Sequence, residues 1–351
     1  MKKKMLIVSN RFAPQLGGAE FNISIQAQEL SKHFEVDVFT PFRDRDPKRE
    51  TLGEVRITRG VNLCNLRREY PYINSKTLCP EVFFRTLVGR YDVVHCFPAM
   101  SENNIMALMA AKARGVPVFL SNFDLVDYVA LLSQGRSVAS ILENLSVSKK
   151  QTYFLRKLNA IFTISQRETD LLREVNPNTF LSTVPIRIEE YEQNVDAEDF
   201  RRRYGVPHDA ALVLCLGRVA RIKGQDVLLK ALPELRKQYS NFHVLIVGRT
   251  DYEPEYLTEM KALIQDERLE DVVAFTGGIP REDVITALKC CDVHVLPVRF
   301  MNSGAVVVET WAARRPVLHS NMIDPRYVEE GVNGYTFSVD NPAELSNKLA
   351  E

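Results

Sequence analysis

Nowhere does the 351-residue sequence approach the roughly 18 to 20 consecutive apolar residues that a membrane-spanning helix needs, which excludes an ordinary transmembrane segment. Its start, "MKKKMLIVSNRF", is too short and too soon interrupted for a secretory signal, and "MLIVSN" reads instead as a first strand. The six cysteines (Cys64, Cys79, Cys96, Cys215, Cys290 and Cys291) form no CxxC pair and lie mostly among apolar residues. That argues against a disulfide framework or a zinc site and for reduced core thiols in a cytoplasmic protein. There is no short repeat and no low-complexity tract. Net charge is also missing, with 45 Lys and Arg against 45 Asp and Glu, but its distribution is uneven: residues 1–188 hold 26 basic against 18 acidic side chains. A basic half can meet an anionic partner, or it can simply carry solvated faces. The basic residues are scattered and not interleaved with aromatics along one element, so nucleic acid is not the expected partner.

What the sequence does contain is two blocks of short β-rich runs alternating with helical stretches, the pattern of parallel sheets covered on both faces. The first block has "MLIVSN", "EVDVFT", "VRITRG", "DVVHCF", "PVFLSN" and "AIFTIS"; the second has "ALVLCLGRV", "HVLIVG", "VVAFTG", "DVHVLPV" and "PVLHS". The segment between them, "STVPIRIEEYEQNVDAEDFRRRYGVPHDA", mixes prolines, an acidic cluster and a basic triplet. The expected organisation is therefore a first domain over 1–188, a linker over 189–208 and a second domain over 209–351. In open α/β sheets ligands sit beyond the carboxyl ends of the strands, so the strand-to-helix loops should carry the chemistry, in a cleft between the two domains.

Three such loops stand out. In "NRFAPQLGGAE", Gly17 and Gly18 precede a helix, where free amides and the helix dipole favour an anion, although the spacing is not GxGxxG and a Gly-Gly pair also serves as a plain turn. In "LGRVARIKGQDVLL", Arg218 and Lys223 lie on one glycine-flanked connection that can aim two cations at one diphosphate; otherwise they are surface cations. The third, "FMNSGAVVVETWAARRP", places Asn302 or Ser303 as the cap of a short helix and puts Glu309 in its second turn. An acid in an otherwise apolar helix is costly to bury unless it accepts hydrogen bonds, and a ribose diol would donate them.

Together with "VAFTGGIP", "RRPVLHS" and "GVNGYTF", these loops resemble the retaining GT-B glycosyltransferases of glycosyltransferase family 4, across nearly the whole chain and most specifically in the second block. The resemblance implies two doubly wound Rossmann-like domains facing across a cleft. It implies transfer of a sugar from a UDP- or GDP-sugar to the hydroxyl of a saccharide, glycolipid precursor or polyol. Arg218 and Lys223 would hold the diphosphate, Gly17 and Gly18 would approach it, and the backbone of Gly277, Gly278 and Ile279 would run along the base. Met301, Asn302, Ser303, Gly304 and Ala305 would meet the donor sugar, Glu309 would accept the ribose hydroxyls, and Asn122 would lie near the reacting sugar. No cofactor is implied: two cations and helix amides neutralise the leaving diphosphate, and no Asp-x-Asp pair occupies a suitable loop.

The sequence departs from the family's pattern in several places. Met301 stands where the pattern has a second Glu, so the donor sugar is held by the amides of Asn302 to Ala305 alone, or is unusual, or catalysis is weak. Asn122 stands where many members have a His, and Asn cannot act as a base near pH 7. His95 could sit nearby, but a lone His after an apolar strand is more often structural. "VPIRIEEY" replaces the usual Asn-Gly, and the terminal crossover helix is expected to be absent. Met301 and Asn122 motivate a rival reading, a noncatalytic nucleotide-sugar-binding or partner subunit of the same fold. The expected location is cytoplasmic, with peripheral contact at the inner membrane face as an option; "RREYPYINSKTLCPEVFFRTLVGRY" is the segment to inspect for it, although an amphipathic helix packed on the sheet is the preferred reading of that stretch.

Overall fold

A computed structural model describes residues 2–13, 18–42, 46–63, 77–122, 149–299 and 304–351. It divides into two compact units, Met1–Pro185 and Ile186–Glu351.

The first unit is built on an eight-stranded sheet in the order β3-β4-β2-β1-β5-β6-β7-β8. These are β1 Lys3–Ser9, β2 Phe34–Pro41, β3 Arg49–Leu52, β4 Val55–Gly60, β5 Val93–Phe97, β6 Val118–Asn122, β7 Ala160–Thr163 and β8 Thr179–Leu181. All its pairings are parallel except β3 with β4. Strand β1 shows why: Leu6 and Val8 enter one apolar cluster and Met5 and Ile7 another, so both faces are covered and only a near-continuous apolar run suits the position. Helices α1 (Gly18–Ser31), α2 (Glu81–Val88), α3 (Glu102–Ala113), α4 (Lys149–Leu155) and α5 (Gln166–Arg173) supply the crossovers.

The second unit carries a wholly parallel six-stranded sheet: β9 (Ala211–Leu216), β10 (Phe242–Val247), β11 (Val273–Gly277), β12 (Val293–Leu296), β13 (Val317–Ser320) and β14 (Gly334–Phe337). The order β11-β10-β9-β12-β13-β14 is the 3-2-1-4-5-6 arrangement, with its reversal between β9 and β12. Here too β9 divides its side chains, with Val213 and Cys215 entering one cluster and Leu212 and Leu214 the other. The helices are α6 (Glu189–Glu192), α7 (Ala197–Arg203), α8 (Gln225–Gln238), α9 (Pro254–Asp266), α10 (Arg281–Cys290), α11 (Ala305–Ala312) and α12 (Pro342–Ala350).

The segment read as a linker over 189–208 belongs to the second unit instead. Tyr191, Phe200 and Val206 are buried in one cluster with Leu212, Leu245 and Leu288, and Arg203 grips Asp283 through both terminal nitrogens at 2.8 and 2.7 Å. Its polar composition suggested a linker, but three apolar side chains in it were enough to dock it. The five cysteines among the described residues are free thiols, and burial pushes Cys96, Cys215 and Cys291 up to about 12, as inert core residues require. No helix among the described residues is long and apolar enough to cross a membrane.

Candidate functional site

The order reversal between β9 and β12 puts the candidate site of the second unit at the loops that leave those two strands. The apolar run of β9 ends at Gly217, with φ of +148°. Beside it Gly248 ends β10, and a Cβ there would be driven into the Gly217 carbonyl. The amide of Gly248 donates to the Gly277 carbonyl at the end of β11 (2.9 Å). Three adjacent strands thus finish in glycine, and side-chain-free backbone lies along one rim of the sheet.

From that rim the chain runs through Arg218 into a short 3₁₀ turn, Arg221–Lys223. Arg218 is exposed, with its guanidinium 4.2 Å from the centre of the Tyr252 ring, and its carbonyl accepts from the buried Gln225 Nε2 (3.0 Å). Lys223 is half-buried, and its methylenes run alongside Gly217. The turn closes at Gly224, which is left-handed (φ +67°) and so close to Pro297 at the end of β12 that a Cβ would enter the Pro297 carbonyl. The two loops flanking the switch point therefore touch at Gly224.

On the other side of that contact, Gly304 caps α11 in the left-handed conformation, with the Tyr327 ring filling the space a side chain would need. The expected cap, Asn302 or Ser303, is replaced by Gly304. Met301, Asn302 and Ser303 lie outside the described residues, as does Gly17. Ala305 opens the helix, and Gly18 opens α1 with open space where a Cβ would be. Gly277 is left-handed (φ +72°), Gly278 lies against the Arg249 side chain, and Ile279 packs into the cluster beneath α10. Asn122 ends β6 in register with Thr163 of β7; its side chain lies outside what is described.

Glu309 is not a solitary acid. Arg281 Nη1 approaches its Oε1 at 2.7 Å, and the same guanidinium donates to Tyr191 Oη (2.8 Å) and to Glu190 Oε2 (3.2 Å). Burial first, then the Glu309 carboxylate that Tyr191 hydrogen-bonds, push the Tyr191 phenol well above its usual range. The carboxylate is thus fixed by partners from α6 and the start of α10. The sequence reading did not name Arg281, although its place directly after "GGIP" was the available signal. It also passed over Gly248, Tyr252, Tyr327 and the Arg299–Asp226 pair, because their partners come from other loops and no spacing announces them.

His95 is buried, with Nε2 2.9 Å from Ser121 Oγ, and burial holds it down to about 3. It is a neutral core residue, in line with the structural alternative. His294 behaves likewise: Nδ1 lies 2.6 Å from Thr310 Oγ1 and Nε2 accepts from the Leu216 amide (3.3 Å), tying β9 to α11.

Residues 16–185 match the family model "Glycosyltransferase Family 4" and residues 196–351 match "Glycosyl transferases group 1". A GDP-mannose-dependent α-(1-6)-phosphatidylinositol monomannoside mannosyltransferase from Mycolicibacterium smegmatis is 25% identical over 306 residues, covering 86% of this chain and 74% of the relative. A D-inositol 3-phosphate glycosyltransferase from Thermobifida fusca is 25% identical over 370 residues, covering 95% and 80%. Among solved structures, Anabaena HepE in complex with UDP and glucose superposes with a TM-score of 0.71 at 20% identity, over 98% of this chain and 88% of that one. Sucrose-phosphate synthase from Thermosynechococcus elongatus gives 0.72 at 19%, over 99% and 89%. At such identities the structural likeness speaks for the fold.

Proposed function

The chain belongs to glycosyltransferase family 4, a GT-B enzyme whose second half is a group 1 module, and from that premise we propose that it moves a hexosyl group from a UDP- or GDP-sugar to an acceptor hydroxyl with retention at the anomeric carbon. The observation that carries this reading is the Arg218–Lys223 loop at the switch point of the second sheet, where two cations and a glycine rim suit a diphosphate. Arg218 and Lys223 stabilise the departing diphosphate oxygens. Glu309 accepts from the ribose, and the backbone of Gly277, Gly278 and Ile279 borders the base. On this reading no metal or other cofactor is needed, since the fixed cations do the neutralising.

Acceptor hydroxyls on an inositol or sugar ring are the first to try, because the curated relatives named above act on a phosphatidylinositol monomannoside or an inositol 3-phosphate. The test is release of nucleoside diphosphate from a panel of UDP- and GDP-sugars, with and without inositol phosphates and simple saccharides, in the presence and absence of EDTA. Acceptor-dependent release that survives EDTA and gives a product of retained configuration supports the proposal. Binding without release under every acceptor would favour the noncatalytic alternative, and an inverted product or loss with EDTA would refute the mechanism.

A peripheral membrane contact belongs to the same proposal. In the first unit Phe84 and Val88, one turn apart on α2, are 63% and 71% exposed, with the exposed cations Arg90 and Arg114 nearby in sequence and packing. This is an apolar stripe edged by positive charge, as interfacial helices require; residues 67–76 of the segment singled out above lie outside the described residues. Sedimentation with anionic vesicles should be lost in Phe84→Ser with Val88→Ser if the contact is real.

A further inference from the structure

Arg299, the last described residue before the loop that leads to Gly304, has an unusual set of bonds. Its Nη1 and Nη2 hold the two oxygens of Asp226 at 2.7 Å each, Nη1 also donates to the Arg221 carbonyl (2.8 Å), and Nε donates to Asp340 Oδ1 (2.6 Å). Its backbone amide donates to the Ile222 carbonyl (2.9 Å). Asp226, in the first turn of α8, also accepts from Tyr256 Oη (2.6 Å) and Lys230 Nζ (3.2 Å).

One residue on the β12 side thus holds two carbonyls of the turn that ends in Lys223, together with the carboxylate that opens the following helix. The turn is only three residues long, and among the described residues its own backbone contributes two hydrogen bonds, Lys223 N to the Ala220 carbonyl and Gly224 N to the Arg221 carbonyl. The hydrogen-bond geometry of a 3₁₀ turn is poor, so bonds from outside it, those of Arg299 and the one that the Arg221 amide donates to Glu253 Oε2 (3.0 Å), add to its fixity. The guanidinium is committed to Asp226 and Asp340, so its chemistry here is to fix geometry and not to bind an anion.

We infer that Arg299 is a positioning residue of the diphosphate site: by clamping the Arg221–Lys223 turn to the end of β12, it keeps the Lys223 ammonium and the Arg218 guanidinium in the one arrangement that engages a leaving diphosphate. This rests on the function proposed above. Displacing a charged group by about an ångström can cost on the order of a hundredfold in rate, so loosening the turn should act on turnover even though Arg299 touches no substrate.

The test compares Arg299→Gln and Arg299→Lys with wild type and with Arg203→Gln, which breaks a bidentate arginine–aspartate pair of similar geometry between α7 and α10 that includes no residue of the Arg218–Gly224 connection. Affinities for UDP, UMP, GDP and GMP are measured by calorimetry, kcat and KM for the donor by diphosphate release, and melting by circular dichroism. In Arg299→Gln the preference for the diphosphate over the monophosphate should fall about tenfold and kcat about a hundredfold, with monophosphate affinity retained; Arg299→Lys should lie between. Arg203→Gln should lower the melting temperature and leave the preference alone. An unchanged preference in folded Arg299→Gln, or an equal change in Arg203→Gln, overturns the inference. Should Arg299→Gln not fold, the same ratio read on Arg299→Lys decides it, and no change there overturns the inference. If wild type itself does not prefer diphosphates, the functional reading fails first and the two failures are told apart.

Discussion

Arg281 and Glu309 form a largely buried ion pair at 2.7 Å, and through Arg281 the carboxylate proposed to read the ribose is joined to Tyr191 and Glu190 of α6. Such a pair fixes a carboxylate in space, which suits a group that must accept hydrogen bonds from a diol. It also gives Glu309 a second explanation, as the counter-ion of Arg281. Glu309→Gln separates the two. If the ribose is its partner, the preference of the enzyme for ribonucleotides over their 2′- and 3′-deoxy forms, worth about tenfold or more for a hydrogen bond to a charged acceptor, should collapse. If Glu309 serves only Arg281, the variant should lose stability, about 1.5 kcal/mol because Arg281 keeps Glu190 as a counter-ion, with the ribose preference intact.

Arg218→Ala and Lys223→Met should each lower donor turnover by about 100- to 1000-fold, the usual cost of losing one group that stabilises developing negative charge. Arg218 is exposed and its ring contact is with Tyr252, so its variant should melt like wild type. Tyr252→Leu should show a smaller loss, since it only removes the surface against which the guanidinium lies. Steady-state diphosphate release read alongside thermal melts checks both. Equal turnover in Arg218→Ala would remove that residue from the site.

Much of this was legible in the chain. The apolar runs of β1, β9 and β10 are buried on both faces, so their composition announced strands of a parallel sheet. The loop after β9 followed because Gly217 interrupts that run at the strand end. Edge elements were not legible: β3, "RETL", is half exposed and polar, and β8 is only three residues long, so neither has the composition of a core strand. Nor could the sequence reveal that Glu309 is paired or that Arg299 holds Asp226. Arg281 and Glu309 are 28 positions apart, Asp226 and Arg299 are 73, and only the sheet order brings them together.

Gly224→Ala tests the contact between the two switch-point loops. Gly224 is left-handed, and a methyl group there would be driven into the Pro297 carbonyl, so backbone strain and steric overlap add. A loss of about 2 to 4 kcal/mol in the denaturant stability of the second unit is expected, with a larger fractional loss of turnover than of stability because Lys223 is the next residue. Gly277→Ala is the matched comparison: it is also left-handed but has open space where the methyl would go, so it should cost only the conformational strain, on the order of 1 kcal/mol.

The histidines set how the protein meets acid. His294 is wholly buried, and burial holds its pKa down to about 3, against about 6.5 for an unfolded chain. Between those values the unfolded state binds a proton that the native state refuses. Stability therefore rises with pH across that window and is lost as pH falls below about 6.5, by about 1.4 kcal/mol per pH unit for each such group. His95 does the same in the first unit. Urea unfolding should thus show both units weakening between pH 7 and pH 5, and His294→Gln should lessen the slope of the second unit, where His243 and His319, also held down by burial, go on contributing. Nε2 of His294 accepts the Leu216 amide and Nδ1 faces Thr310, the neighbour of Glu309, so a proton forced onto this ring would break the tie between β9 and α11. Because the native ring stays neutral down to about pH 3, the tie should hold in the folded protein between pH 7 and pH 5, and a loss of nucleotide affinity in that range while circular dichroism shows the fold intact would show that some other group controls binding.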